Sequence, residues 1–169
     1  MNDKKQTLVL FNTLNKTLES FKPINKIVKI YTCGPTVYRD AHIGNMRTYL
    51  LSDTLKKTLI HIGYKTLHVK NITDVGHMRQ EMLDQGEDKV IAAAIKEGKT
   101  PQEIASYYTD KFLKDEKALN INPPDYMPKA TDHINEMLEM IDILIQKKIA
   151  YEVNQNVYFN ISKSKNYGI

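Results

Sequence analysis

Three short stretches hold the residue types that could do chemistry: Thr32-Cys33-Gly34-Pro35, His42-Ile43-Gly44-Asn45 and Asn71-Ile72-Thr73-Asp74. Where His-x-Gly opens a helix, backbone N–H groups of the first turn can face a triphosphate, Gly44 lets a ligand approach the backbone, and His42 adds a donor to phosphate oxygens. Taken alone, that string also fits a helix start with an incidental histidine. Cys33, on residue type alone, reads as a small buried thiol. His77 follows the third stretch closely enough to touch the same crevice. His61 and His68 read as surface or packing residues, and His133 as a cap or buttress of its helix.

The elements that must position these stretches follow from periodicity. Ile27 to Tyr31 alternate and stop at Gly34-Pro35, so a strand ends in a loop. From Met46 to Ile62 the residues Leu51, Leu55, Leu59 and Ile62 form one stripe of a helix, with Gly63 as its stop. Lys65 to Lys70 alternate again. Strand, helix and strand make a βαβ unit, and ligands sit beyond the carboxyl ends of parallel strands, so the loops after Tyr31 and Lys70 are expected to border one crevice.

Glu87 to Lys96 and Pro101 to Leu119 read as helices flanking that crevice, the second running to an Asn-rich stop before Pro123-Pro124. Ile134, Met137, Leu138, Ile141, Leu144 and Ile145 mark another helix, capped by Thr131 or Asp132 and turning at Lys147-Lys148. Tyr151 to Val153 and Val157 to Ile161 read as a hairpin about Asn154-Gln155-Asn156. The fold class is α/β. The expected division is residues 1–115, half of a nucleotide-binding domain, and 116–169, a helix and hairpin.

The 169 residues are 41% hydrophobic, enough to bury a core, and 24 Lys+Arg against 20 Asp+Glu give a formal charge of +4. That excess is compatible with a nucleic-acid partner without demanding one. No stretch approaches the roughly 18 apolar residues of a spanning helix, and the first ten lack a signal-peptide core, so a membrane role is not expected. The single cysteine allows no intrachain disulfide and suits a reducing, cytoplasmic location.

The run from Tyr31 to Tyr49, YTCGPTVYRDAHIGNMRTY, resembles the signature of cysteinyl-tRNA synthetases, a class I family. Phe11-Asn12-Thr13-Leu14, Phe21-Lys22-Pro23, Asn71-Ile72-Thr73-Asp74 and Lys129-Ala130-Thr131-Asp132-His133-Ile134 match in family order. Class I enzymes often end the His-x-Gly-x motif in histidine. Here Asn45 stands, a variant that cysteinyl enzymes use.

The resemblance implies the first half of a Rossmann-type catalytic domain with parallel strands, plus the start of a connective insertion. It implies ATP-dependent activation of L-cysteine to cysteinyl-adenylate, then transfer to tRNA(Cys), with magnesium accompanying ATP and the intact enzyme a monomer. His42 and Asn45 would be catalytic; His42, Gly44 and Asn45 would bind ATP. Gly34, Thr36, Thr73 and Asp74 would bind the amino acid, their bland role being turn-making. Cys33 would be one ligand of a zinc ion that takes the substrate thiolate, which suits the preference of zinc for sulfur.

One cysteine cannot close a four-ligand site, and the five histidines show no metal spacing with it. The Lys-Met-Ser-Lys-Ser loop, the helical tRNA-binding region and three further zinc ligands of the family are missing, so the chain is expected to be truncated and catalytically incomplete. Ser162-Lys163-Ser164-Lys165 lacks the Met and follows a hairpin, and does not supply that loop. Three other readings stand beside this one: the cysteine ligase of mycothiol synthesis, a pantetheine-phosphate type nucleotidyltransferase, and a non-catalytic nucleotide- or substrate-binding fragment.

Overall fold

The computed structural model describes residues 8–75, 89–165 and 167. His77 and the first two residues of the helix expected from Glu87 lie outside them. The chain divides into two compact units, Met1–Lys129 and Ala130–Ile169.

The first unit is built on the expected βαβ. Strands β3 (Ile27–Thr32) and β4 (Lys65–Lys70) pair in parallel, Ile27 opposite Lys65 and Thr32 opposite Lys70, and helix α1 (Ile43–His61) makes the crossover between them. Helix α1 ends as its sequence suggests. Gly63 has φ +90°, Tyr64 N–H donates to Leu59 O at 2.9 Å and Gly63 N–H to Ile60 O at 3.0 Å, the paired bonds that close a helix through a left-handed residue.

Upstream, β1 (Val9–Asn12) and β2 (Thr17–Ser20) form an antiparallel hairpin, which the periodicity did not announce. Downstream come α2 (Lys89–Glu97) and α3 (Pro101–Ala118). The latter starts on a capping box in which Thr100 Oγ1 accepts from Glu103 N–H and Glu103 accepts from Thr100 N–H, with Pro101 just inside.

The segment after α3, read as a stop followed by prolines, returns to the sheet. Lys70 N–H donates to Tyr126 O at 3.0 Å and Ile72 N–H to Pro128 O at 2.8 Å, so this stretch runs parallel along the free edge of β4. Proline is tolerated there because such an edge strand can spare N–H donors. The core gathers Val37, Met46, Tyr49, Ile72, Val90, Ala94, Ile104, Ala105, Phe112 and Ile121.

One expectation about α1 fails. Leu51 is 69% exposed, and the buried face instead carries Met46, Tyr49, Ser52, Asp53, Lys56 and Leu59. Polar residues can occupy a buried helix face when each finds a partner. Asp53 Oδ1 accepts from Asn122 N–H at 3.1 Å and Oδ2 pairs with Lys57 at 2.6 Å, while Lys56 Nζ reaches Asp125 Oδ2 at 3.0 Å.

The second unit holds α4 (Ile134–Gln146) and the hairpin of β5 (Ala150–Val153) and β6 (Asn156–Phe159). Residues 130–133 form a tight turn before α4, so the cap position falls on His133, whose side chain makes no capping bond; Thr131 and Asp132 precede it. The hairpin turn has two residues rather than three, Asn154 at φ 51° and Gln155 at φ 63°, because Val153 pairs with Asn156. Asn160 to Ile161 fall outside the strand; Asn160 Oδ1 accepts from Ser162 N–H at 3.1 Å and starts a further tight turn.

Candidate functional site

The loops beyond β3 and β4 do not face one another across a gap. They are joined. Thr73 N–H donates to Pro35 O at 3.0 Å and Val37 N–H donates to Thr73 O at 3.2 Å, extending the parallel pairing past the strand ends. Gly34 makes this closure possible. A Cβ there would stand 1.6 Å from Asn71 O, so only glycine lets the two backbones come so close.

Asn71 ties the junction from its own side chain. Its Oδ1 accepts from Gly34 N–H at 2.9 Å and from the Tyr31 hydroxyl at 3.1 Å, and its Nδ2 donates to Thr73 Oγ1 at 3.1 Å. It was visible in the sequence as the head of its motif, but a turn residue signals itself no differently from a site residue.

The cleft opens instead between the loop after β3, the start of α1 and the flank of α3. It measures about 240 Å³ and is lined by Gly34 to Ala41, Asn45, Tyr49, Tyr108 and Phe112. Of the residues singled out in the sequence, Gly34, Thr36 and Asn45 line it. Cys33, His42, Gly44, Thr73 and Asp74 do not. Tyr108 and Phe112 were not foreseen, because an aromatic pair on an amphipathic helix looks like any core face. Asp40 on the rim pairs with Lys111 of α3 at 2.6 Å.

The start of α1 differs from the sequence expectation in a specific way. His42 occupies the cap position, its Nδ1 accepting from Gly44 N–H at 3.1 Å and Asn45 N–H at 3.4 Å, while Asn45 Oδ1 accepts from His42 N–H at 3.2 Å. First-turn amides expected to face a phosphate are therefore engaged by the imidazole. The space beside Gly44 serves the same ring, since a Cβ there would stand 3.0 Å from His42 Cε1. With Nδ1 accepting, the neutral ring carries its proton on Nε2, leaving Nε2–H as the donor available to a ligand.

Beneath the cleft lies a buried polar layer. Lys70 is 1% exposed and ion-paired with Glu116, itself 3% exposed. The Lys70 ammonium stands 5.0 Å from the centre of the Tyr49 ring and 5.4 Å from that of Phe112. Burial pushes the Glu116 carboxyl up, against the hydrogen bond and charge of Lys70 that pull it down. Burial first, then the neighbouring Cys33 and Glu116, push the Tyr49 phenol up to about 12, so it stays a neutral O–H at any physiological pH. Neighbouring His68 bonds Thr32 Oγ1 through Nε2 at 2.8 Å, and burial, then the Lys70 and Lys56 charges, lower its pKa.

Residues 20–169 match the family of tRNA synthetases class I (C), catalytic domain. The chain belongs to that family. It is 48% identical over 161 residues to the cysteine--tRNA ligase of Borreliella afzelii and 47% identical over 163 residues to that of Treponema denticola, covering 95% and 96% of this chain and 33% of each relative. It thus spans about a third of the length of the curated relatives it matches.

Solved class I synthetases share the fold. A leucyl-tRNA synthetase of Agrobacterium radiobacter in ternary complex with tRNA and LeuAMS superposes with TM-score 0.59 at 21% identity, over 73% of this chain and 15% of that one. A putative arginyl-tRNA synthetase of Campylobacter jejuni does so with TM-score 0.56 at 14% identity, over 86% of this chain and 40% of that one. The α/β class and the synthetase-type parallel sheet expected from the sequence are thereby borne out.

The zinc that resemblance to cysteinyl synthetases implies can be tested against the donors of this class I (C) domain. Cys33 is exposed, and its thiol approaches Gly34 O at 3.7 Å. Among the described residues no three of His, Cys, Asp and Glu gather closely enough to hold a metal ion. A tetrahedral zinc takes about four ligands. The described residues offer Cys33 alone and do not fit a closed site. Among the described residues no helix is long and apolar enough to cross a membrane.

Proposed function

We propose that this chain supplies the amino-acid cleft and the ATP-facing helix start of a cysteine–tRNA ligase. One observation carries the reading: within a domain of this family, Asn45 of the His42 capping box also lines the cleft that Gly34 and Thr36 help to form. The helix start that would meet ATP is thereby connected to a pocket for the amino acid. At about 240 Å³ the cleft falls below the roughly 300–1,000 Å³ of sites for drug-sized ligands, and suits a small amino acid better than a nucleotide.

In this reading cysteine carboxylate attacks the α-phosphate of ATP, giving cysteinyl-adenylate and releasing pyrophosphate, and the terminal ribose hydroxyl of tRNA(Cys) then takes the aminoacyl group as AMP leaves. His42 donates Nε2–H to a phosphate oxygen as negative charge builds in the transition state, and its Nδ1 bonds to the first turn hold the ring ready. Gly34 and Thr36 shape the cleft. Thr73, whose backbone ties the junction behind the cleft, and Asp74 beside it in sequence would hold the ammonium or carboxylate of the substrate. Cys33 would be one thiolate donor to a zinc whose other ligands come from outside the described residues. ATP would arrive with magnesium.

The test is cysteine-dependent exchange of pyrophosphate into ATP by a full-length protein carrying this chain, with zinc present and serine as the control amino acid. Exchange with cysteine and not with serine is expected. His42→Ala should slow it by about 2–4 kcal/mol of transition-state stabilisation, as for loss of an oxyanion donor. Absence of exchange with cysteine overturns the assignment, and an unchanged rate in His42→Ala removes that residue from the mechanism.

A further inference from the structure

Lys70 and Glu116 form a buried ion pair that no step above uses. Lys70 ends β4, and its stem packs against the closed junction: its Cγ would stand 3.2 Å from a Cβ at Gly34. Its ammonium lies against both Tyr49 of α1 and Phe112 of α3, whose rings meet edge to face with centres 5.0 Å apart. Glu116, one helical turn beyond Phe112, anchors that ammonium from α3. Strand β4 and helices α1 and α3 therefore meet at one charge, and the two helices present the aromatic walls of the cleft.

Net stability is a weak reason for burying such a pair. Desolvating two charges costs about as much as their attraction returns, and well-packed apolar replacements of buried pairs are often neutral or stabilising. What an ammonium supplies that a methyl cannot is direction: it draws the faces of two rings toward one point and fixes their mutual angle.

We infer that Lys70 and Glu116 are positioning residues that hold the Tyr49 and Phe112 rings as the walls of the amino-acid cleft. The inference rests on the reading of that cleft as the amino-acid site. Neither residue touches substrate. Their loss loosens the pocket without removing a reacting group, so recognition of the amino acid suffers before turnover does.

The decisive variant is the paired replacement Lys70→Met with Glu116→Leu, which leaves no buried charge unpartnered. In the full-length protein, pyrophosphate exchange should show KM for cysteine raised about tenfold, with kcat and KM for ATP within about threefold and an unlowered thermal midpoint. Lys70→Arg with Glu116 retained should restore most of the cysteine KM. In the 169-residue chain, ring resonances of Tyr49 and Phe112 should sharpen toward fast averaging in the paired variant.

Unchanged ring signals, or an unchanged cysteine KM, overturn the inference. So does a joint fall of kcat and thermal midpoint with both KM values rising together, which marks a merely structural pair. Wild-type protein without cysteine-dependent exchange, together with rings that loosen in the variant, sinks the functional reading and leaves the positioning role standing.

Discussion

The βαβ unit around β4 and the helix-hairpin of residues 130–169 bury opposite kinds of surface. On β4 and the inner faces of α1 and α3, the residues shut away from water include Ser52, Asp53, Lys56, His68, Lys70 and Glu116. In the second unit no residue of α4 is buried, and its strands carry Tyr151, Val153, Val157, Tyr158 and Phe159 all substantially exposed. One region hides charge and the other shows carbon. Polar groups are worth enclosing where their directionality fixes a geometry, and of the enclosed ones here Lys70, paired with Glu116, lies against the Tyr49 and Phe112 rings that line the cleft.

The sharpest way to break this contrast is at the junction of the β3 and β4 loops. Gly34→Ala places a Cβ where Asn71 O already stands, at 1.6 Å, and backbone on backbone cannot yield as a flexible side chain would. The pairing of Thr36 with Thr73 must open, and with it the seat of Lys70. A loss of more than about 4 kcal/mol is expected in urea unfolding. Hydrogen exchange should show the damage at the amides of Val37 and Thr73, while those of the 150–159 hairpin keep their protection. A loss below about 1 kcal/mol would mean that the junction is loose in solution and the closed loops do not define the cleft.

A smaller effect tests the helix face. Leu59 is 2% exposed and Leu51 69% exposed, although the apolar stripe of the sequence treats them alike. Leu59→Ala should cost about 2–5 kcal/mol, as other buried leucines do, whereas Leu51→Ala should stay within about 0.5 kcal/mol. Equal costs, measured as urea midpoints, would restore the stripe as the buried face and displace Asp53 and Lys56 from it.

That pair of leucines also shows what was legible in the sequence. Strands β3 and β4 and helices α1, α3 and α4 could be placed within a few residues because alternation, helix-start residues and stops act locally: Pro101 at the start of α3, Gly63 at the end of α1. The βαβ pairing and the family followed from the same segments. Hidden were features settled by tertiary partners. A buried Asp53 reads as solvent-facing until Asn122 N–H is seen to reach it, and the 125–129 segment reads as loop after Pro123-Pro124 until β4 takes it as a neighbour. The cleft was half legible. Gly34, Thr36 and Asn45 carry motif signals, but Tyr108 and Phe112 reach it only because α3 folds back across the sheet ends.

The smallest predicted effect belongs to the second unit, where local rules should suffice. Asn154 and Gln155 both adopt positive φ, at 51° and 63°, in the two-residue turn between β5 and β6. Asparagine tolerates that region; glutamine enters it against a clash between its Cβ and the following carbonyl. Gln155→Gly completes the Asn-Gly pair that such turns favour, and the relief exceeds the entropy glycine loses on folding by about 0.5–1 kcal/mol. Hydrogen exchange at Val153 and Asn156 should slow by a corresponding few-fold, with no change at Val37 or Thr73. The Tyr151–Tyr158 stack, its centres 5.8 Å apart, serves as an internal control, because it lies across the same strands and should be retained. If the substitution weakens protection instead, the turn is held in its strained form by contacts beyond its own residues, and the contrast between a locally determined hairpin and a tertiary-determined cleft would have to be given up.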